Sequence, residues 1–400
     1  MEQTEKKIII VTKGNVCYGS TSYFAERLNE EFVRAGKKSF VININTKAEA
    51  EELTKDIITN KNVACIIDFN TDIYAYDDIF DIEDDYSNTG YIPLWHVILD
   101  HPLYHNSVLK NKLHDMRVIC LDETHVELIR KYYSHIRKVY VKPIPADTAQ
   151  KLIPYTERKF EVLFTGTYTS SQDIINLALK SGGENMEIFQ KMADYLINNP
   201  SDTIETAFEK SISEKSDDFE KKFMDKLEMN FYADMFIRAV IREELLMEML
   251  RSGINVDIFG HGWERFILKC DEVQKREGKF EGKIKLHGET DYKNLCSIYA
   301  DSKIALNVLP WFKAGQHDRI SLAMCNGCVC VSDESVYLEE KFVDGEEMFM
   351  YSLEDMHYAA EIVKNLQAQH LEAAKAAAKG YARAVKELSF KKYSEIFMAV

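Results

Sequence analysis

Apolar runs of strand length recur along this chain, each followed by a longer stretch of helical periodicity. KIIIVTK (7–13), SFVININ (39–45), VACIIDFN (63–70), PLWHVILDHP (93–102), RVICLD (117–122) and RKVYVKP (137–143) form one series, with SYFAERLNEEFVRAG (22–36) and AEAEELTKDIITN (48–60) as helical partners. Runs that are apolar throughout belong to strands covered on both faces. Alternating β and α units of this length close through right-handed crossovers into a parallel sheet. The expected class is therefore α/β.

The rhythm breaks at KPIPADTAQKLIPYTER, which holds three of the seven prolines, and then resumes at KFEVLFTGT (159–167), NVDIFGHGW (255–263), IKLHGE (284–289), KIALNVLP (303–310) and CVCVSD (328–333). Between the first two of these lies a charged, strand-poor stretch of helical pattern. The reading is two Rossmann-like parallel-sheet domains facing a cleft. The first spans 1–145, a linker spans 146–158, and the second spans 159–385 with a helical insertion at about 170–252. Residues 386–400 form a terminal helix that could pack back on the first domain.

A length of 400 residues with 46% hydrophobic and 29% charged residues suits two such domains with full cores. The net charge of −15 and pI near 5.3 argue against a nucleic-acid binder, which needs a basic face, but leave room for a local basic pocket. No run approaches the ~18 apolar residues of a membrane span, and the apolar part of the N-terminus is too short for a signal peptide. Cytoplasmic residence is the expected default. The eight cysteines are scattered and read as reduced, buried thiols. Cys325, Cys328 and Cys330 lie close together but have no second ligand cluster to complete a metal site.

Several strand ends carry residues suited to an anion. In FTGTY, Gly166 between Thr165 and Thr167 allows backbone N–H groups to approach a phosphate. FGHGW sets Gly260 and His261 before Trp263, and LHGETDY sets Gly288 and Glu289 before a helix. WFKAGQHDRISLAMCNG is the sharpest signal. Lys313, Gly315, Gln316, His317 and Arg319 gather at a strand-to-helix corner, with Asp318 as the expected N-cap and Gly327 ending the helix. A helix N-terminus with a guanidinium beside it would stabilise an anionic leaving group electrostatically.

The stretch from HGETDYKNLC to GEEMFMY, with its G-x-x-x-R corner and A-M-x-x-G helix, resembles the donor-binding half of group-1-type glycosyltransferases, closest to the spore-maturation-like branch. The resemblance covers about 255–352. It implies a GT-B fold, a sugar nucleotide in the second domain and an acceptor in the first. It places the diphosphate and sugar at Gly315, Gln316, His317 and Arg319. Gly166, Gly260 and His261 line the same pocket on this reading, and Gly288 and Glu289 face the base. One departure stands out: the helix position at which many relatives carry a ribose-binding Glu is Leu322, and the companion acidic position is Ala314. Ribose recognition is left without a residue, and so is the stereochemical outcome.

On the acceptor side, Asp100 and His101 in ILDHPLYH are candidates for the base that deprotonates a hydroxyl. The alternative is that Asp100 caps a turn and His101 packs on Pro102. The loop TKGNVCYGSTS, with Gly14, Tyr18 and Gly19, ends the first strand and could contact acceptor or phosphate; it lacks the dinucleotide G-x-G-x-x-G spacing. DIYAYDDIFDIEDDY (72–86) carries seven acidic residues and no basic one. It reads as a solvated loop, or as a recogniser of a cationic or hydroxyl-rich acceptor. No D-x-D stands at a strand end, so transfer without a metal or other cofactor is expected. The leading expectation is transfer of a sugar, UDP-linked, to a glycan or protein hydroxyl. A catalytically silent sugar-nucleotide module and a 2-epimerase-like enzyme are the alternatives. The insertion could shape acceptor choice or mediate a homodimer.

Overall fold

The computed structural model describes residues 6–14, 16–59, 62–74, 92–112, 115–180, 186–213 and 217–398. The chain divides into two compact units. One comprises Met1–Ile144, Asp291–Lys293 and Ser389–Val400, and the other comprises Pro145–Thr290 and Asn294–Leu388.

The first unit is built on β1 (Lys7–Lys13), β2 (Lys38–Ile44), β3 (Val63–Phe69), β4 (Pro93–Ile98), β5 (Asp115–Cys120) and β6 (Lys138–Val141), all parallel, in the order β2-β1-β3-β4-β5-β6. Burial follows the pattern of residues. The central strands β1, β3, β4 and β5 are buried almost throughout, whereas edge strand β2 is mostly exposed or half-buried. The helix Ser20–Arg34 covers one face with Phe24, Ala25, Leu28 and Phe32, an i, i+4, i+8 stripe. The last helix, Phe390–Met398, lies with this unit: Phe397 packs on Phe32 and Trp95, and Phe390 on Tyr23. Tyr292 from the short segment Asp291–Lys293 packs on Tyr23 and Phe24.

The second unit holds β7 (Phe160–Thr165), β8 (Val256–Phe259), β9 (Ile284–Leu286), β10 (Ser302–Leu306), β11 (Val329–Asp333) and β12 (Phe349–Tyr351) in the parallel order β12-β11-β10-β7-β8-β9. The chain starts in the middle, runs to one edge through β8 and β9, returns to β10 beside β7, and continues to the other edge. That return makes β7 and β10 a topological switch point, and open α/β sheets bind ligands in the crevice there, beyond the strands' carboxyl ends. The first sheet has its own switch point, between β1 and β3.

Between β7 and β8 the chain forms the helices Ser171–Lys180, Met186–Asn198, Ile204–Ser211, Phe223–Glu228 and Phe231–Arg251. Phe208, Phe219 and Phe223 pack together within them. The proline-rich stretch is fastened to the second unit. Ala149 N–H donates to Asn326 Oδ1 (2.7 Å), and Arg158 donates to the carbonyls of Ile153, Ser302 and Gly327.

Candidate functional site

The switch point of the second sheet brings FTGTY and the 313–319 corner together. The helix Asp318–Cys325 starts one residue beyond His317, and His317, not Asp318, is its N-cap: the imidazole Nδ1 accepts from Arg319 N–H (3.5 Å). Gly327, at φ +69°, follows the helix. Arg319 is buried, and its Nη1 donates to Thr165 O at the end of β7 (3.1 Å). The same nitrogen stands 3.3 Å from where a Cβ on Gly166 would lie, so the absence of a side chain there makes room for the guanidinium.

Two side chains from this corner are engaged elsewhere. Gln316 is fully buried and donates to Ser321 Oγ (2.9 Å) within its own helix turn. Lys313 Nζ donates to Pro200 O (2.5 Å), which ties the corner to the helical insertion. Gly315 O accepts from Ser335 Oγ (2.8 Å). Leu322 is completely buried in the core. At that position this helix presents a packing face, which accounts for an apolar residue where relatives carry an acid.

The glycines of FGHGW serve the backbone. A Cβ on Gly260 would fall 2.0 Å from Gly166 O, and one on Gly262 would fall 2.3 Å from Tyr168 O. The strand ends of β7 and β8 cross so closely that no side chain fits. Gly166 N–H donates to Phe259 O, Gly260 N–H to Gly288 O, and Trp263 Nε1 to Gly166 O (2.7 Å). Gly288, by contrast, is at φ +72° with open space where a Cβ would be. His261 is exposed and pairs through Nδ1 with Glu289 Oε1 (2.7 Å), so these two predicted residues do meet. Thr167 lends its carbonyl to the site, accepting from Arg242 Nη1 (3.0 Å).

That bond reveals what the sequence reading missed. Arg238 and Arg242, four apart on one face of Phe231–Arg251, reach the same corner, with guanidinium carbons 4.3 and 5.3 Å from the centre of the Trp311 ring. Burial first, then the charges of Arg319 and Arg238, push Arg242 well below the usual guanidinium range, with Asp234 opposing. Arg242 and Arg319 each keep a buried Nε–H that no described group accepts. Arg238 is paired with the Asp234 carboxylate (2.6 Å), while the charges of Arg319 and Arg238 both bear on Arg242, so positive charge gathers at this switch point in a chain of net charge −15. Two arginines at i and i+4 opposite a distant Trp were the available signal, masked because they lie in a stretch as charged as a solvated helix.

In the first unit His101 is buried, and its Nδ1 accepts from Leu103 N–H (3.1 Å), capping the turn that follows. Asp100 is half-buried and accepts from Asn70 Nδ2 (3.1 Å). Gly14, Tyr18 and Gly19 all adopt left-handed backbone, and Gly19 starts the helix Ser20–Arg34. The acidic stretch is described only as far as Tyr74; its residues from 75 to 86 lie outside the described residues.

Residues 238–399 match the model of the glycosyl transferase-like family. Over that stretch the chain is similar to glycosyl transferase-like proteins. The family match begins at Arg238, on the helix that carries both missed arginines. The fold of the chain is that of several solved structures. Sucrose-phosphate synthase from Thermosynechococcus elongatus is 10% identical with a TM-score of 0.57 over 99% of this chain and 100% of the other. An α-glucosyltransferase in complex with UDP-glucose and DNA containing an abasic site is 11% identical, with a TM-score of 0.55 over 98% and 100%. HepE of Anabaena in complex with UDP-glucose is 11% identical, with a TM-score of 0.54 over 98% of each chain. No curated protein sequence matches the chain. Among the described residues no helix is long and apolar enough to cross a membrane.

Proposed function

We propose that this chain is a glycosyltransferase that moves a sugar from a nucleotide diphosphate donor, UDP-linked, to a hydroxyl on a glycan or protein, with no metal ion. The observation that carries the reading is the convergence of Arg238, Arg242 and Arg319 at the switch point of the second sheet. A diphosphate supplies negative charge beyond that of Asp234, which pairs with Arg238. When the bond to the sugar breaks, negative charge grows on the leaving phosphate, and guanidiniums already in place stabilise it without reorganisation. They do there what a divalent cation would otherwise do. The exposed His261–Glu289 pair and the open backbone at Gly288 suit the ribose and base. HepE and the α-glucosyltransferase, which share the fold, are solved with UDP-glucose.

Calorimetric titration with UDP, GDP, UMP and their sugars, in the presence of EDTA, tests the reading. The expected result is binding of UDP and UDP-sugars, at least about tenfold weaker binding of UMP, and loss of roughly 2 kcal/mol or more in Arg319→Ala and Arg242→Ala. Binding that appears only when a divalent metal is added would overturn the metal-free assignment, and failure of all nucleotides to bind would overturn the donor assignment.

A further inference from the structure

The loop that leaves β10 is held on both sides of Trp311. Leu309 N–H donates to Asp333 Oδ1 (2.7 Å), Phe312 N–H donates to Leu309 O (3.0 Å), and Lys313 O accepts from Val336 N–H (3.0 Å). The indole is thereby fixed in place, and Trp311 is only 9% exposed. The guanidinium carbons of Arg238 and Arg242 lie 4.3 and 5.3 Å from the centre of its ring. A cation held by an aromatic ring uses the π face. The indole N–H lies in the plane of the ring and is left for another partner.

A buried indole N–H ordinarily finds an acceptor. That of Trp263 does, donating to Gly166 O (2.7 Å). That of Trp311 is buried and meets no acceptor among the described residues. Its cationic neighbours cannot serve, because a guanidinium carries donors and no acceptor. Asp234, on the same helix as the two arginines, is paired with Arg238 (2.6 Å). Arg242 Nε–H and Arg319 Nε–H are buried and unmatched in the same way, although each guanidinium also donates through Nη1 to a carbonyl just after β7, that of Thr167 or Thr165. The loop after β10, the helix Phe231–Arg251 and the helix Asp318–Cys325 thus each bring a buried N–H to one switch point. All three lack an acceptor. A single water molecule cannot accept from all of them, whereas an anion with several oxygens can.

We propose that the indole N–H of Trp311 is a ligand contact, donating a hydrogen bond to the diphosphate of the sugar nucleotide beside Arg242 and Arg319. The inference rests on the donor reading above and adds a neutral donor to a cationic site. A further cation would be repelled by the arginines already gathered there, whereas an N–H adds a bond without adding charge. The indole keeps its proton throughout the transfer. Its bond strengthens as negative charge grows on the leaving diphosphate, and the fixed loop requires no rearrangement at that moment.

The test is calorimetric titration of full-length wild type and Trp311→Phe with UDP and with inorganic pyrophosphate, beside the indole ¹⁵N–¹H resonance of Trp311 in the wild type. Phenylalanine keeps an aromatic face for Arg238 and Arg242 and removes the N–H. Trp311→Phe should bind both ligands about tenfold or more weakly, by the same factor for each. The wild-type resonance should move downfield as UDP saturates the protein, as an N–H does when it meets a phosphate oxygen. That readout needs no substitution, so the inference stays testable if Trp311→Phe does not fold. It is overturned if folded Trp311→Phe binds UDP as tightly as the wild type. It is overturned as well if affinity is lost for UDP but not for pyrophosphate, which would set the indole against the nucleoside, or if the wild-type resonance stays in place at saturating UDP. In each of these cases the wild type still binds UDP and the donor reading stands. A wild type that does not bind UDP at all overturns the donor reading first, and this inference falls with it.

Discussion

Single residues divide here into those that face a ligand and those that let the backbone pass. Gly260 belongs to the second kind, since a Cβ there would stand 2.0 Å from a carbonyl that cannot move away without separating β7 from β8. Gly260→Ala should destabilise the second unit by about 3 kcal/mol or more, read as a lowered denaturant midpoint. Gly36 is the contrast. It also lies at positive φ, +75°, but nothing is within 4 Å of its Cβ direction, so Gly36→Ala should cost only about 1 kcal/mol. On the proposed reading Arg242 and Arg319 are of the first kind. Because they repel one another, Arg242→Met should leave the unliganded fold as stable as the wild type or slightly more so, while weakening UDP binding. Parallel melting and titration curves would show the two effects moving in opposite directions.

At the scale of elements, the helix Phe231–Arg251 does two jobs from two turns. Arg238 and Arg242 serve the proposed anion site, and the neighbouring Glu243 anchors the helix. The Glu243 carboxylate is buried and accepts from Tyr168 Oη (2.6 Å), Ser171 N–H (3.0 Å), Ser171 Oγ (2.8 Å) and Lys269 Nζ (2.5 Å). It thus pins the loop after β7, the helix Ser171–Lys180 and the helix Glu264–Glu277 to one point. Hydrogen bonding to this acceptor, after burial, also pushes the Tyr168 phenol far above its usual range. Glu243→Ala would strand several buried donors at roughly 1–3 kcal/mol each, and a loss of about 3 kcal/mol in unfolding free energy is expected. Since Arg242 is the adjacent residue, UDP affinity should fall as well, although Glu243 touches no ligand. Glu243→Gln, which keeps an acceptor, should recover part of both losses.

For the molecule as far as its residues are described, two carboxyls stand above their ordinary value of ~3.9. Asp72 is raised to about 7 by burial and Asp68, and Asp333 to about 6 by burial, against hydrogen bonds from Leu309 N–H and Ser332 Oγ. A folded state that holds these protons more tightly than the unfolded chain gains stability from them at low pH. That gain is complete below the unfolded value near 4 and is lost as pH rises through about 6 and 7. Urea midpoints measured at pH 5 and pH 8 should therefore differ more in the wild type than in Asp72→Asn/Asp333→Asn. Donor binding has a different signature. A chain of net charge −15 that gathers its arginines in one pocket should bind UDP more weakly as ionic strength rises, through screening of the pocket alone.

The sequence by itself determined the two series of strands and helices, because continuous apolar runs and helical periodicity are local properties that survive in any tertiary setting. It also located the strand end at Gly166 and the corner at Arg319, because glycine and arginine at a strand-to-helix turn have few other uses. It determined far less about which side chains face a ligand. Gln316 and Lys313 look like donors in sequence, yet one bonds Ser321 and the other Pro200, since the packing around the corner offers them nearer partners. Arg238 and Arg242 look like any charges on a polar helix until the fold sets that helix against Trp311 and Arg319, some 70 residues further along the chain. The strained turn at Asn70 and Thr71 is likewise invisible beforehand. Intrinsic preference opposes it, and bonds from β4 and the turn beyond it, distant in sequence, impose it. What only the tertiary structure decided is where long-range contacts override local preference, and the arginine cluster arises at such a place.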